Sequence, residues 1–205
     1  MAKPAPRAAK PQPEPLAAPH RFVRMLLGLI CFTSGAAIMV IEISANRLLA
    51  PTFGNSLYTW TALIGVILIA FSVGGYLGGA LADRMPRMDL LGRLLAGAAV
   101  LTMLIPALNS MMMDSFAGSG LIAGPVMISL FLFALPGVLL GAVSPAAMRF
   151  YSLSGHDEHV GRSAGIISML GSLGSFFGTF LSGFVLLSAF GVKAIFIGAG
   201  LVLLA

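Results

Sequence analysis

The chain has 205 residues, of which 58% are hydrophobic and 9% charged, whereas a soluble domain carries about 25% Asp, Glu, Lys and Arg. This excludes a water-soluble globule, and no stretch long enough for a separate soluble catalytic domain lacks an apolar run. The formal charge of +5 is read by position. Lys3, Arg7, Lys10, Arg21 and Arg24 directly precede the first apolar run, which marks a membrane flank and not a nucleic-acid surface.

Residues 1–20 contain six prolines and six alanines. Such a composition buries too little apolar surface to fold and predicts a disordered cytoplasmic tail. Six apolar runs follow, covering Met25 to Ile43, Tyr58 to Ala82, Leu94 to Met113, Leu121 to Val143, Ser163 to Leu187 and Val192 to Ala205. Continuous runs indicate helices, because barrel strands alternate apolar and polar residues. The prediction is an all-α polytopic membrane protein with about six transmembrane helices over residues 21–205. Ten of the twelve basic residues lie on the side of the head, and only Arg47 and Lys193 lie opposite. The positive-inside bias therefore puts the N-terminus in the cytoplasm and, after six spans, returns the C-terminal end there. The last run rises only about 21 Å against a hydrocarbon core near 30 Å. Either neighbouring protein completes it, or the polypeptide is a shortened version of something longer.

The first span carries Glu42, a carboxylate close to hydrocarbon that needs a partner, a water-filled cavity or a proton. Asn46 follows one turn later, and Arg47 is within reach if the helix ends nearby. Glu42, Asn46 and Arg47 are thus a candidate ligand site or a structural clamp on the outer loop. From Arg47 to Trp60 the sequence is apolar but broken by Pro51 and Gly54, which predicts a segment along the interface with Tyr58 and Trp60 as anchors. In the second span Gly74 and Gly78, overlapped by Gly75 and Gly79, form small-xxx-small pairs that allow helix backbones to approach. The fifth span repeats the device with Gly171, Gly174 and Gly178, beside Ser168, Ser172, Ser175 and Ser182. If the six spans are two groups of three, these two spans hold corresponding central positions, a pattern that suits an inverted repeat. Pro106, Pro125 and Pro136 predict kinks, which serve either as hinges or as static bends.

Asp83, Arg84 and Arg87 join the second and third spans. They read either as a charge clamp on helix ends or as a positive flank with a local salt bridge. The glycine, Asp-Arg pair and following basic residue resemble the loop motif of major facilitator transporters, with Pro86 where the second glycine is expected. His156-Asp157-Glu158-His159 has two metal-ligand types three apart but no distant third ligand. Cys31 is alone, so an intrachain disulfide and a multi-cysteine metal site are both excluded. No phosphate-binding glycine loop, nucleophile elbow or zinc-protease motif occurs, and no cofactor is expected.

Taken in order, Glu42, Asn46-Arg47-Leu48-Leu49-Ala50-Pro51, Phe53-Gly54, Ser56, Tyr58, Trp60, Ile64-Gly65, the Gly74 to Gly79 segment and Ala82-Asp83-Arg84 resemble the membrane half of the fused major-facilitator-like/spermidine synthase family. Gly161-Arg162, Gly165, Leu173-Gly174-Ser175, Gly178-Thr179-Phe180 and Gly183-Phe184 extend the likeness, which spans about residues 25 to 200. The resemblance implies half of a major facilitator fold in a bacterial inner membrane. In that family a cytoplasmic aminopropyltransferase domain follows the helices and uses decarboxylated S-adenosylmethionine and putrescine. Its glycine-rich nucleoside loop and acidic pocket do not occur here, so its activity is not carried over. The expected role is a non-catalytic module in the bilayer, an anchor or subunit for other membrane proteins or for a separate soluble aminopropyltransferase-like protein. The alternative is a small transporter of polyamine or another solute, working as a dimer with Glu42 as its coupling carboxylate.

Overall fold

Every element in the computed structural model of the chain is helical, and it describes residues 20–85, 87–154 and 160–205. The tail assigned to residues 1–20 lies outside that range apart from His20, as do Pro86 and the His156 to His159 segment. Helix α1 covers His20–Phe53, α2 Leu57–Arg84, α3 Asp89–Ala117 and α4 Ala123–Leu153. Helix α5 covers Val160–Phe180 and continues through a π-helical stretch, Leu181–Leu186, and a last turn, Leu187–Ala189. Helix α6 is Val192–Leu204. The first four helices and the continuous segment Gly161–Ala189 are long and apolar enough to cross a membrane. With 13 residues α6 rises only about 20 Å, short of a full crossing.

Helix α1 runs past the expected end of the first span. Arg47 to Phe53, expected as an interfacial segment, is helical and contains Pro51. A proline costs a helix one donor and crowds the carbonyl four residues back, but here it falls in the last turn, where Leu48 and Leu49 are buried in the core. The chain reverses at Gly54, whose φ of 73° is the left-handed cap that glycine adopts without strain. Its N–H donates to Ala50 O at 2.9 Å. Two residues later Ser56 caps α2, its Oγ accepting from the Thr59 N–H at 3.3 Å.

Two interfaces dominate the packing, α2 with α4 and α1 with α5, followed by α3 with α4 and α3 with α6. Exchanging α1 with α4, α2 with α5 and α3 with α6 preserves this pattern: α2–α4 becomes α5–α1, and α4–α5 becomes α1–α2. The correspondence extends to single residues. At Gly74 and Gly78 an added Cβ would collide with the backbones of Val138 and Ala142, and at Gly174 and Gly178 with those of Phe32 and Ala36. A shift of 100 residues carries the first pair of glycines onto the second, and a shift of 106 carries Phe32 and Ala36 onto Val138 and Ala142. Gly35 in α1 and Gly141 in α4, related by the same shift, face the backbones of Gly171 and Phe71. Each half contains three helices, so the second half crosses the bundle in the opposite sense to the first. Small residues are what allow both seams to close, since in lipid helices associate through close packing and not by escaping water.

Two buried clusters are stacked along the axis. One, towards the end that carries the α1–α2 turn, includes Leu49, Leu63, Ile105, Phe133 and Phe196. The other, towards the basic end, includes Leu27, Ala82, Leu91, Phe150 and Ile167. Helix α5 is the outlier: 17% of its most apolar window is buried, against 33–50% in the other four spans. One side of it is therefore left for something outside the chain to cover.

Candidate functional site

The two seams differ in what lies beside them. Next to the α2–α4 seam, the Phe71 ring packs by Gly137 and Leu140 with Ile38, Ile67 and Phe133, leaving an apolar void of about 20 Å³. In the related position beside the α1–α5 seam, Gly171 stands where the shift of 100 residues places Phe71. No ring fills that space, and a recess of about 410 Å³ opens between α1, α4 and α5. Five serines line it: Ser34 from α1, Ser144 from α4, and Ser168, Ser172 and Ser175 from α5. The Ser175 hydroxyl donates to Gly35 O at 3.2 Å, a hydrogen bond across the seam. Ser34 is turned back onto its own helix, donating to Cys31 O at 3.1 Å. Cys31, Ile38 and Leu140 complete a wall that is largely apolar, in which small side chains leave the room and serine hydroxyls supply the polar points.

A second recess of about 400 Å³ lies at the far end, between the end of α1, the start of α2 and the π-helical stretch of α5. Asn46, 3% exposed, and Arg47, exposed, both line it. Asn55 Oδ1 accepts two hydrogen bonds, from Asn46 Nδ2 and from Trp60 Nε1, each at 3.0 Å. This arrangement fixes the Asn46 amide with its nitrogen towards Asn55, and leaves its Oδ1 buried without a partner among the described residues. Trp60 is thereby a tie between the turn and α2. Gly183, Leu187 and Ser188 close the opposite wall. Gly183 lies within the π-helical stretch and Leu187 and Ser188 directly follow it; its i to i+5 bonding widens the helix, a distortion that recurs at functional sites.

Glu42 sits between the two recesses. Gly35, Ile38, Glu42 and Asn46 follow one another at helical spacing on one face of α1. Gly35 and Ile38 belong to the serine recess and Asn46 to the far-end one. The Glu42 side chain is half-buried and makes no ion pair or hydrogen bond among the described residues. Arg47 does not approach it. The helix continues through both residues, and a separation of five positions turns Arg47 about 140° away from Glu42.

The remaining sequence candidates separate in the same way. Gly75 faces open space and a Cβ added at Gly79 would lie 3.9 Å from the Pro145 side chain, so among the described residues it is the Gly74–Gly78 pair of these two that closes a seam. Gly174 and Gly178 close the other, with Gly171 beneath Gly35. Asp83 pairs with neither Arg84 nor Arg87 among the described residues. Its Oδ1 is 2.9 Å from Arg149 Nε of α4, a close ionic contact whose N–H is not aligned on the oxygen. Arg149 was not legible as its partner, because nothing in a single sequence marks which basic residue a distant helix end will face. The signal for the serine recess was present, though. Ser72 to Gly79 reads Ser-Val-Gly-Gly-Tyr-Leu-Gly-Gly and Ser172 to Thr179 reads Ser-Leu-Gly-Ser-Phe-Phe-Gly-Thr, the same pattern 100 residues apart, with Phe71 before one and Gly171 before the other.

Comparison of the chain with family models, with curated proteins and with solved structures finds no match.

Proposed function

We propose that the chain is an integral-membrane module that anchors or completes a larger membrane assembly, docking a transmembrane partner along the open side of α5. The observation that carries this reading is the serine-lined recess. It stands where the other half of the molecule has an apolar, ring-filled seam, and small and hydroxylated residues are the surface that membrane helices use for one another. An exposed aromatic ridge beside it, Phe176, Phe180 and Phe184 with successive ring centroids 4.7 and 5.7 Å apart, offers a neighbouring helix a second, apolar contact. The basic residues at one end set orientation, with that end in the cytoplasm of a bacterial cell.

The test is extraction of the native protein in mild detergent, with identification of what accompanies it. A stoichiometric membrane partner is expected, and Gly171→Phe, which places a ring in the recess, is expected to release it while the chain itself stays folded. Recovery of the same partner in unchanged amount with the Gly171→Phe variant would overturn the proposal. A soluble aminopropyltransferase-like protein among the partners would identify the assembly as a split form of the fused enzyme that the sequence resembles.

One observation favours a second reading, transport of a small solute by a pair of such modules. Glu42 is the carboxylate on the α1 face that joins the two recesses, and an intramembrane carboxylate is a coupling or substrate group in many carriers. That reading predicts a homodimer in which Glu42→Gln abolishes flux into vesicles and leaves assembly intact. Unchanged flux in Glu42→Gln would dismiss it.

A further inference from the structure

Near the basic end of the α1–α5 seam, on a different face of α1 from the serine recess, lies a trough of about 440 Å³. Its walls are apolar: Met25, Leu29 and Phe32 of α1 with Ile166 and Leu170 of α5. Gly28 forms the floor, where an added Cβ would come within 2.8 Å of the Leu170 side chain. Arg24 stands at the rim, its guanidinium carbon 4.9 Å from the centroid of the Tyr151 ring of α4. Two more cations fall on the same faces. Arg21 is one turn before Met25 and Arg162 one turn before Ile166, and both are exposed. Three arginines from two helices thus crown an apolar trough that runs about 12 Å down α1 from Arg24 to Phe32.

We propose that this trough is a binding site for one anionic phospholipid, with an acyl chain along Met25, Leu29, Phe32 and Leu170 and the phosphate held by Arg21 and Arg162 beside the positive charge of Arg24. The arrangement is that of an amphiphile. The cationic groups are confined to one end, at the level where headgroups lie, and the rest is hydrocarbon facing hydrocarbon. Basic pockets between transmembrane helices recognise anionic headgroups for this reason. Arg24 is held against Tyr151 and adds its charge to the rim, while the exposed Arg21 and Arg162 have guanidinium groups that can reach a headgroup. A soluble anion would have no use for the apolar wall, and a zwitterionic lipid would gain much less from three cations.

The full chain is reconstituted in vesicles of equal parts phosphatidylcholine and phosphatidylglycerol, taken into mild detergent and examined by native mass spectrometry. One phosphatidylglycerol per chain is expected to be retained in preference to phosphatidylcholine. The Arg21→Gln, Arg162→Gln double variant leaves the Arg24–Tyr151 contact in place and is expected to lose about fivefold in retention for each charge removed. Met25→Trp, at a side chain 69% exposed and outside the core, is expected to crowd the trough and lower retention with all three arginines present. Equal retention of the two lipids would overturn the proposal, as would undiminished retention in the double variant or displacement of the lipid by soluble glycerol phosphate. A second protein chain occupying the trough in place of lipid would overturn it equally.

Discussion

The α2–α4 and α1–α5 seams are built on one plan and finished differently. In both, two glycines four residues apart receive the backbone of a neighbouring helix, and a third glycine on that neighbour returns the contact. Beside the first seam Phe71 fills the remaining space, and beside the second Gly171 leaves it open. Serines at 144, 168, 172 and 175 then coat a surface whose counterpart is an apolar void with room for little more than a single water. A repeated half-bundle thus becomes asymmetric through a few side chains, and in the proposed function the open side of α5 is the one on which a partner docks.

The largest effect is expected where the seams are alike. Gly74→Leu and Gly174→Leu each force two backbones apart, so both should cost more than the ~1–3 kcal/mol of ordinary overpacking and abolish monodisperse, folded protein. Gly75→Ala, at a glycine that faces open space, should leave the thermal midpoint unchanged or slightly raised. If Gly74→Leu folded normally while Gly174→Leu did not, the two seams would not share one plan. An intermediate effect is expected where they differ. Phe71→Ala empties the filled side and should destabilise by about 2 kcal/mol, less than the ~3–5 of a fully buried ring because Phe71 is half-buried. The smallest effect concerns the ends. Asp83 and Arg149 are 69% and 41% exposed, so Arg149→Gln should shift stability by no more than about 1 kcal/mol. A larger loss would make that contact a structural clamp between α2 and α4.

The helical class of the fold could be read from composition and from the lengths of apolar runs, because a bilayer admits few other structures. Boundaries were legible only where turn chemistry is local. Gly54 marks the break before α2 in the sequence itself, but Pro51 is absorbed into α1 because burial of Leu48 and Leu49 outweighs its disruption of the last turn. The glycine pairs were visible, whereas the choice of Gly74–Gly78 over Gly75–Gly79 was not, since both pairs have the same spacing and only a neighbour selects between them. The same limit applies to Arg149, to the tie from Asn55 to Trp60 and to the separation of Arg47 from Glu42. Each depends on how a helix is rotated or how far it continues, and rotation is set by tertiary packing.

The most direct test places a photo-activated cross-linking residue at Ser172, in the open recess, and in a second variant at its counterpart Ser72, with irradiation in native membranes. A discrete protein adduct at position 172, absent at 72 and lost when Gly171→Phe is added, is the predicted result. Equal adducts at the two positions, or lipid adducts alone at both, would contradict the claim that the open side of α5 is where this module meets its partner.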